Sequence, residues 1–250
     1  MRDALAALAG LILLLLLAMG LLVALWPSLM VRHLLQPLFP EVIFCGDGRR
    51  RELALTIDDG PSPESFGQAS TGSMALLALL RELELPATLF VISGHLAQGP
   101  PDFLPQALAD GHGIGHHMDR DSPSACLGPT RFRQAFDQAA DQLGRAAAPH
   151  SLALRWFRPG GGWFRASMLA SLNERGYRLV LGSIFPWDTV HPPVGWMRWF
   201  VLHNAHPGAI LVLHDRPDTL PATLALLRQV VPALRQRGYR FVTLERLLNA

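Results

Sequence analysis

The sequence predicts an α/β fold in which helices cover a mostly parallel sheet, either open or closed into a barrel. From residue 52 onward, short apolar runs alternate with longer amphipathic runs, which is the pattern of strands alternating with helices. Glycine or proline follows several of the short runs and ends each at a defined point. No Ser/Gly linker or block of like charge divides residues 51–250, so we expect them to form one domain.

The predicted elements follow this alternation in order along the chain. We expect strands at residues 53–57, 87–92, 156–158, 178–182, 210–214 and 240–243, and an edge strand at 41–45. We expect helices at residues 74–85, 103–110, 130–145, 166–175, 194–204 and 221–237. The tripeptide Gly-Tyr-Arg occurs at 176–178 and 238–240, each time as a helix end that leads into a strand.

Residues 1–27 are expected to form a membrane anchor. Residues 4–26 are an uncharged run of 23 residues, long enough as a helix to cross a hydrocarbon core of roughly 30 Å. Trp26 ends the run, where an interfacial aromatic residue is expected. A cleaved signal peptide is the alternative, with Ala18 and Gly20 resembling a cleavage site. Residues 28–50 contain several prolines and glycines and are expected to connect the anchor to the domain.

The composition bears on partners and on the redox state. The formal net charge is only +2, so no basic excess indicates nucleic-acid binding, and we expect no nucleic-acid partner. The two cysteines, Cys45 and Cys126, are far apart in sequence. They either pair outside the cytoplasm or remain as two free thiols, and the sequence leaves both alternatives open.

Two adjacent carboxylates lie where the strand at 53–57 ends. Asp58 and Asp59 are followed at once by Gly60 and Pro61, which break the strand. In α/β sheets and barrels, ligands and catalytic groups gather at the carboxyl ends of the strands. Neighbouring carboxylates repel each other, and a bound cation offsets that repulsion. The pair therefore indicates a catalytic or metal site, with a polar turn as the alternative.

Residues 111–121 contain three histidines and two aspartates among three glycines. His117 and Asp121 are four residues apart, so one helical turn would place both on the same face. An imidazole and a carboxylate together are half of a plausible metal site. A polar, His-rich surface loop is the alternative for this segment.

Three further segments place polar residues near strand ends. Arg158 can hold a carboxylate through two hydrogen bonds, and the glycines after it, including Gly161, allow backbone N–H groups to approach an oxyanion. Asp188 follows the strand that ends near residue 182, and His214 ends the strand that begins at residue 210. Each of these alone is also explained by a turn or a satisfied polar residue, but they occur together on one alternating chain.

Together the segments resemble the motifs of the NodB-homology polysaccharide deacetylases, carbohydrate esterase family 4. Thr-Ile-Asp-Asp-Gly-Pro resembles the first motif, Gly-His-Gly-Ile-Gly-His-His the second, Phe-Arg-Pro-Gly-Gly-Gly the third, Trp-Asp the fourth and Leu-Val-Leu-His-Asp the fifth. The resemblance covers residues 53–248. It implies a distorted (β/α) barrel and a metal-dependent hydrolase that removes N-acetyl groups from N-acetylated sugar polymers, a chitin-like or cell-wall glycan. With the predicted anchor, it also implies a single-pass membrane protein whose domain is extracytoplasmic.

The resemblance implies roles for four residues in acid–base chemistry. Asp58 would be the general base and Arg158 would orient it and hold it electrostatically. His214 would be the general acid, with Asp188 tuning it.

The resemblance also implies a metal site and contacts to the substrate. Asp59 and His117 would bind a divalent metal, typically zinc. Asp121 occupies the position of the family's second ligand histidine, and a His116 or Asp119 ligand is the alternative. The backbone N–H of Gly161, which replaces an aromatic residue, would help to bind the oxyanion, and Val212 would line the acetyl-methyl pocket.

An Asp-His-Asp set is harder and more anionic than Asp-His-His, so zinc is expected with other divalent ions as alternatives.

Two other functions remain open at this point. One is another hydrolase on the same scaffold, either an O-acetyl esterase or a cyclic amidase. The other is a non-catalytic, membrane-tethered glycan-binding module.

Overall fold

The computed structural model describes residues 2–62 and 72–249, with side chains at residue 8 and from residue 10 onward. Over these ranges the chain forms eight strands, and every strand pair is parallel. The strands are β1 (Val42–Ile43), β2 (Glu52–Asp58), β3 (Ala87–Val91), β4 (Gly113–His116), β5 (Trp156–Phe157), β6 (Arg178–Val180), β7 (Ile210–His214) and β8 (Arg240–Val242).

The helices lie before the sheet and between its strands. They are α1 (Arg2–Leu25), α2 (Pro27–Met30), α3 (Gln36–Leu38), α4 (Ser73–Glu82), α5 (Phe103–Ala109), α6 (Pro129–Ala146), α7 (Ala166–Glu174), α8 (Val194–Asn204), α9 (Leu220–Gln236) and α10 (Leu244–Leu248). A π-helical turn, Val31–Leu35, joins α2 to α3. The six helices predicted after residue 73 agree with the structure within a few residues, whereas the short α10 was not predicted.

The sheet has the order β1-β6-β5-β4-β3-β2-β7, and β8 pairs with the first residues of β2. A bridge between Ile184, beyond the end of β6, and Leu211 of β7 brings the two sides of the sheet together. The sheet therefore curves into a distorted half-barrel. The predicted α/β fold with a parallel sheet is confirmed, and β1 is the edge strand expected at residues 41–45.

The central strand β2 is buried along its whole length, and its two faces have different neighbours. One face packs in the main core against the helices through Leu53, Leu55 and Ile57. Ala54 packs inside the barrel with Phe90. Because side chains alternate along a strand, Thr56 and Asp58 share this inner face. The carboxylate that ends β2 therefore lies inside the barrel at the carboxyl ends of the strands.

The strand β4 was missed, because two of its four residues are glycines and glycine is uncommon in strands. A Cβ atom at Gly113 would lie 2.9 Å from Thr88 Oγ1, and one at Gly115 would lie 2.5 Å from the Phe90 ring. The side chains of β3 thus occupy the space beside β4, and only glycine fits there.

The residues after β4 also differ from the expectation. The predicted helical turn that would align His117 with Asp121 is wrong, because the chain is irregular over residues 117–121. Cys45 and Cys126 are both free thiols in the structure, so of the two alternatives the unpaired one holds.

The N-terminal helix α1 is followed by a sharp change of direction. Among the residues with described side chains, no single helix is long and apolar enough to cross a membrane. Gly10–Leu25 and Pro27–Leu38 meet that requirement only as a pair, and the two are bent by 101°. We call residues 26–39 the elbow.

Hydrogen bonds hold the elbow against the domain. Ser28 Oγ donates to Asn204 Oδ1 at 2.8 Å, and Asn204 Nδ2 donates to the carbonyl oxygen of Leu25 at 2.9 Å. Gln36 Nε2 donates to the carbonyl oxygen of Val42 at 3.0 Å. The first part of the expected connector, residues 28–38, is therefore helical and is packed against α8 and β1.

Candidate active site

The carboxylate of Asp58 is buried inside the barrel and paired with an arginine. Arg158 follows β5, and its Nη1 donates to Asp58 Oδ1 at 2.6 Å and to Thr56 Oγ1 at 2.8 Å. Its Nε donates to the carbonyl oxygen of Val180 at 3.0 Å, and its guanidinium carbon lies 4.1 Å from the centroid of the Phe90 ring. The expected arginine–carboxylate pair is present, but it is made through one nitrogen rather than two. These contacts fix both charges in one geometry.

His214 lies beside Asp58, because the two residues are partners in the parallel register of β2 and β7. A carboxylate can only accept, so His214 Nδ1 donates to Asp188 Oδ1 at 2.9 Å. The backbone N–H of His214 also donates to Asp188 Oδ2 at 2.9 Å. Burial lowers the pKa of His214, but the hydrogen bond and charge of Asp188 outweigh burial and raise the pKa to about 9. The imidazole is therefore protonated at neutral pH, with Nε2 left for the cavity.

Asp59 and His117 form a second buried pair. Asp59 follows β2 in the left-handed conformation, with φ of 71°, which turns its side chain away from that of Asp58. His117 Nδ1 donates to the carbonyl oxygen of Arg158 at 2.6 Å. Its Nε2 lies 3.2 Å from Asp59 Oδ1, and that buried oxygen has no hydrogen-bond partner among the described residues.

This pair fits a cation better than it fits the protein alone. With Nδ1 committed to a carbonyl group, a neutral His117 would turn its Nε2 lone pair toward a carboxylate oxygen, as metal-binding histidines do. Burial lowers the pKa of His117, but the close approach of Asp59 and the charges of Asp58 and Asp59 raise it by more, so the net shift is upward. Burial raises the pKa of Asp59 and the neighbouring His117 lowers it, with a net shift downward. A proton or a metal ion between the two atoms removes the repulsion.

Asp121 faces the same cavity but is held by an arginine. Its Oδ2 lies 3.3 Å from Arg216 Nη1, which is also 3.9 Å from Asp59 Oδ2. The Asp121 side chain is 47% exposed. Within residues 2–62 and 72–249, no three His, Cys, Asp or Glu side chains lie close enough together to hold a metal ion. That Asp121 is a ligand remains a prediction.

The two alternative ligands lie elsewhere. His116 is fully buried and stacked on Phe136, with Nε2 3.0 Å from the Phe136 carbonyl oxygen. Its Nδ1 accepts from the backbone N–H of Met118 at 3.1 Å. Burial lowers the pKa of His116 to about 4. The carboxylate of Asp119 pairs with Arg120 at 2.9 Å. Neither of the two alternative residues therefore presents to the cavity an atom that is free to bind a metal.

A cavity of about 540 Å³ brings the predicted residues together. All nine predicted site residues line it: Asp58, Asp59, His117, Asp121, Arg158, Gly161, Asp188, Val212 and His214. Gly182, with φ of 126°, leaves the room that Val212 needs, since a Cβ there would lie 2.5 Å from Val212 Cγ2. The structure thus brings these residues to one place, while their individual roles remain predictions.

The sequence analysis missed several residues at this cavity. Arg216 could have been found from the sequence, because it lies two residues after His214, which ends a strand. Trp187 was quoted in the fourth motif with Asp188 but was given no role at the site. Val31 and Leu35 of the elbow line the cavity as well, and nothing in the local sequence indicates it.

A parallel α/β half-barrel with an arginine-paired carboxylate beside a carboxylate-bound imidazole has the acid–base groups that a hydrolase requires. The chain belongs to the polysaccharide deacetylase family, whose model matches residues 46–180. The family resemblance read from the motifs is therefore confirmed. The enzyme is a hydrolase of the deacetylase type, acting on carbon–nitrogen bonds other than peptide bonds.

Named relatives support this assignment. The chain is 32% identical over 199 residues to a peptidoglycan-N-acetylglucosamine deacetylase of Bacillus cereus, covering 79% of this chain and 88% of that protein. It is 33% identical over 203 residues to a chitooligosaccharide deacetylase of Rhizobium leguminosarum bv. trifolii, covering 76% and 88%. The crystal structure of the Bc1960 peptidoglycan N-acetylglucosamine deacetylase superposes with a TM-score of 0.76 at 24% identity, covering 84% of this chain and 94% of that one.

Proposed function

We propose that the protein is a metal-dependent, membrane-tethered deacetylase that removes N-acetyl groups from N-acetylated sugar polymers. The observation that carries the proposal is the register of β2 and β7, which sets Asp58 and His214 side by side. Of their charge partners, Arg158 directly follows β5 and Asp188 lies in the loop after β6. A base and an acid held side by side are what hydrolysis of an acetamide requires.

The acid–base steps follow from these contacts. Asp58 takes a proton from the attacking water, while Arg158 holds the carboxylate in place. His214 then donates its Nε2 proton to the departing nitrogen, since its pKa of about 9 keeps it charged at neutral pH. Val212 packs against the acetyl methyl group, and the backbone N–H of Gly161 donates to the developing oxyanion.

Asp59 and His117 would hold the metal, with Asp121 as the third ligand. A divalent ion bound there would lower the pKa of a water molecule and would polarise the acetyl carbonyl group. Zinc suits the imidazole, and two carboxylates also suit harder ions such as manganese. The support for the site is the orphaned Asp59 Oδ1, 3.2 Å from His117 Nε2.

Product analysis with the full chain tests the activity. We expect free amine from N-acetylated chitooligosaccharides, together with one divalent ion per chain in the purified protein. Acetate from acetylated xylan without amine release from the chitooligosaccharide would instead indicate an O-acetyl esterase. Binding of either glycan without turnover and without metal would indicate a glycan-binding module.

The membrane tether is proposed from the apolar helix α1. The side chains of Leu13, Leu14, Leu15, Leu16 and Leu17 are each about 60% exposed, which a bilayer would cover. We expect the protein to resist alkaline extraction from membranes and residues beyond 40 to be accessible to protease from outside the cell. A soluble secreted form that begins near residue 21 would indicate a cleaved signal peptide instead.

A further inference from the structure

Large exposed apolar side chains are confined to two parts of the described chain. One part is α1 with the elbow. The other is the rim of the catalytic cavity, where Trp163, Trp187 and Val190 are 70%, 38% and 69% exposed. The described surface beyond these two parts has no comparably exposed large hydrophobic residue.

These two parts touch each other. Trp187 Nε1 donates to the carbonyl oxygen of Ala24 at 3.3 Å, at the end of α1. The ring of Phe39 in the elbow meets Phe164 edge to face, with 5.4 Å between centroids. Since Phe164 adjoins Trp163, the elbow and the rim form one apolar surface around the mouth of the cavity.

The elbow also forms part of the cavity wall. Val31 and Leu35 line the cavity together with Leu181 and Phe185, beside the catalytic residues. A sugar acetamide has a single methyl group, and Val212 already faces it. Four further apolar side chains offer more apolar surface than the acetylated sugar uses, which indicates a second, apolar part of the substrate.

We propose that the cavity accepts a glycan carried on a membrane lipid, with the sugar at Asp58 and His214 and the first part of the lipid chain against Val31 and Leu35 of the elbow. The inference rests on the proposed deacetylase activity and specifies its substrate class. Exposed tryptophans are typical of the interface between membrane and water. The rim therefore lies on the membrane surface, where such a substrate presents its sugar.

The test compares two substrates with the full chain in vesicles of phosphatidylethanolamine and phosphatidylglycerol. One is an N-acetylglucosamine oligosaccharide, and the other is the same oligosaccharide with a long alkyl chain at its reducing end. Leu35→Gln should lower kcat/KM for the alkylated substrate by roughly tenfold more than for the soluble one, the scale of one lost leucine contact. The matched control is Leu34→Gln, because Leu34 is 51% exposed and does not line the cavity.

The control is essential, because enzyme and alkylated substrate collect on the same vesicles in any case. The Leu34→Gln variant still collects on the vesicles with the alkylated substrate, so it should leave the ratio of the two kcat/KM values unchanged. Trp163→Ser provides a second variant on an exposed side chain, where folding is not at risk, and should also lower the ratio. Equal losses on both substrates for Leu35→Gln and an unchanged ratio for Trp163→Ser would overturn the lipid-linked substrate while leaving the deacetylase intact. Absence of amine release from either substrate by the unmodified chain would instead reject the proposed function.

Discussion

The two sides of the catalytic cavity balance their charges in different ways. On the acid–base side, Asp58 is 2.6 Å from Arg158 and His214 is 2.9 Å from Asp188. Arg158 directly follows β5, Asp188 lies in the loop after β6, and Asp58, Arg158 and Asp188 are all buried. Both pairs on this side are closed by protein groups alone, although the buried Arg158 Nη2 has no hydrogen-bond partner among the described residues.

The other side of the cavity, which contains Asp59, His117 and Asp121 and which we call the ligand side, lacks this balance. Asp59 Oδ1 has no hydrogen-bond partner among the described residues, although His117 is near it. Asp121, the predicted third ligand, is about half exposed and is held by Arg216. The comparison indicates that both acid–base pairs are formed by protein groups alone, and on that basis we expect a cation to complete the ligand side.

Asp58→Asn should have the largest effect, because it removes the base while leaving the ligand side intact. We expect turnover to fall by roughly 10²–10⁴, the usual range for a proton-transfer group, with metal content unchanged. Asp59→Ala should lose metal and activity together. Turnover on a chitooligosaccharide and metal analysis of both purified variants check this, and equal loss of metal in the two would mean that the sides are not separate.

His116 is next to His117 in sequence, but it is buried in the hydrophobic core and is not part of the ligand side. Its pKa of about 4 lies below the ordinary value of 6.5, so the unfolded chain takes up a proton first as the pH falls. The contribution of His116 to stability is therefore constant above pH 6.5 and declines between pH 6.5 and 4, by up to about 3 kcal/mol. Denaturant unfolding across this range should show the decline, and His116→Gln should remove this part of it. A variant with the same pH dependence as the unmodified chain would mean that His116 titrates normally.

Asp188→Asn tests whether the acid side depends on its buried charge. The proposed acid, His214, donates a proton only while it is protonated, so activity should fall as the pH rises through its pKa. Burial lowers that pKa, but the hydrogen bond and charge of Asp188, with the charges of Asp58 and Asp59, raise it from 6.5 to about 9. Without the charge of Asp188 the pKa drops, and the falling limb of the pH–kcat profile should move down by about one unit or more. A falling limb at an unchanged pH would mean that a different group is the acid.

Arg216→Gln should have the smallest effect and should act only on the ligand side. Freeing Asp121 from a partly exposed ion pair should tighten metal binding by up to about fivefold. Calorimetric titration with Zn²⁺ and Mn²⁺ measures this, with Arg120→Gln as the control, because Arg120 pairs with Asp119 outside the cavity. In the same assay Asp121→Ala should weaken binding, and an unchanged affinity would remove Asp121 from the ligand set.

Much of the fold followed from local patterns in the sequence. The strand β2 and the helices α8 and α9 have continuous or periodic apolar runs with clear ends, and these are local properties. The positions of Asp58, Asp59 and His214 followed as well, because polar residues directly after a buried strand must lie at the rim of the sheet. The strand β4 was not predicted, because its glycines are explained only by the side chains of the neighbouring strand β3.

By itself the sequence determined the strand ends, and with them which side chains could meet at the rim. Only the tertiary structure decided what each of them meets. It separates the adjacent His116 and His117, sending one to the Phe136 ring and the other to Asp59. It also brings the elbow, some 150 residues away from Trp187, against the cavity. Such choices depend on contacts between distant segments, and no local pattern of residues records which distant surface a side chain will pack against.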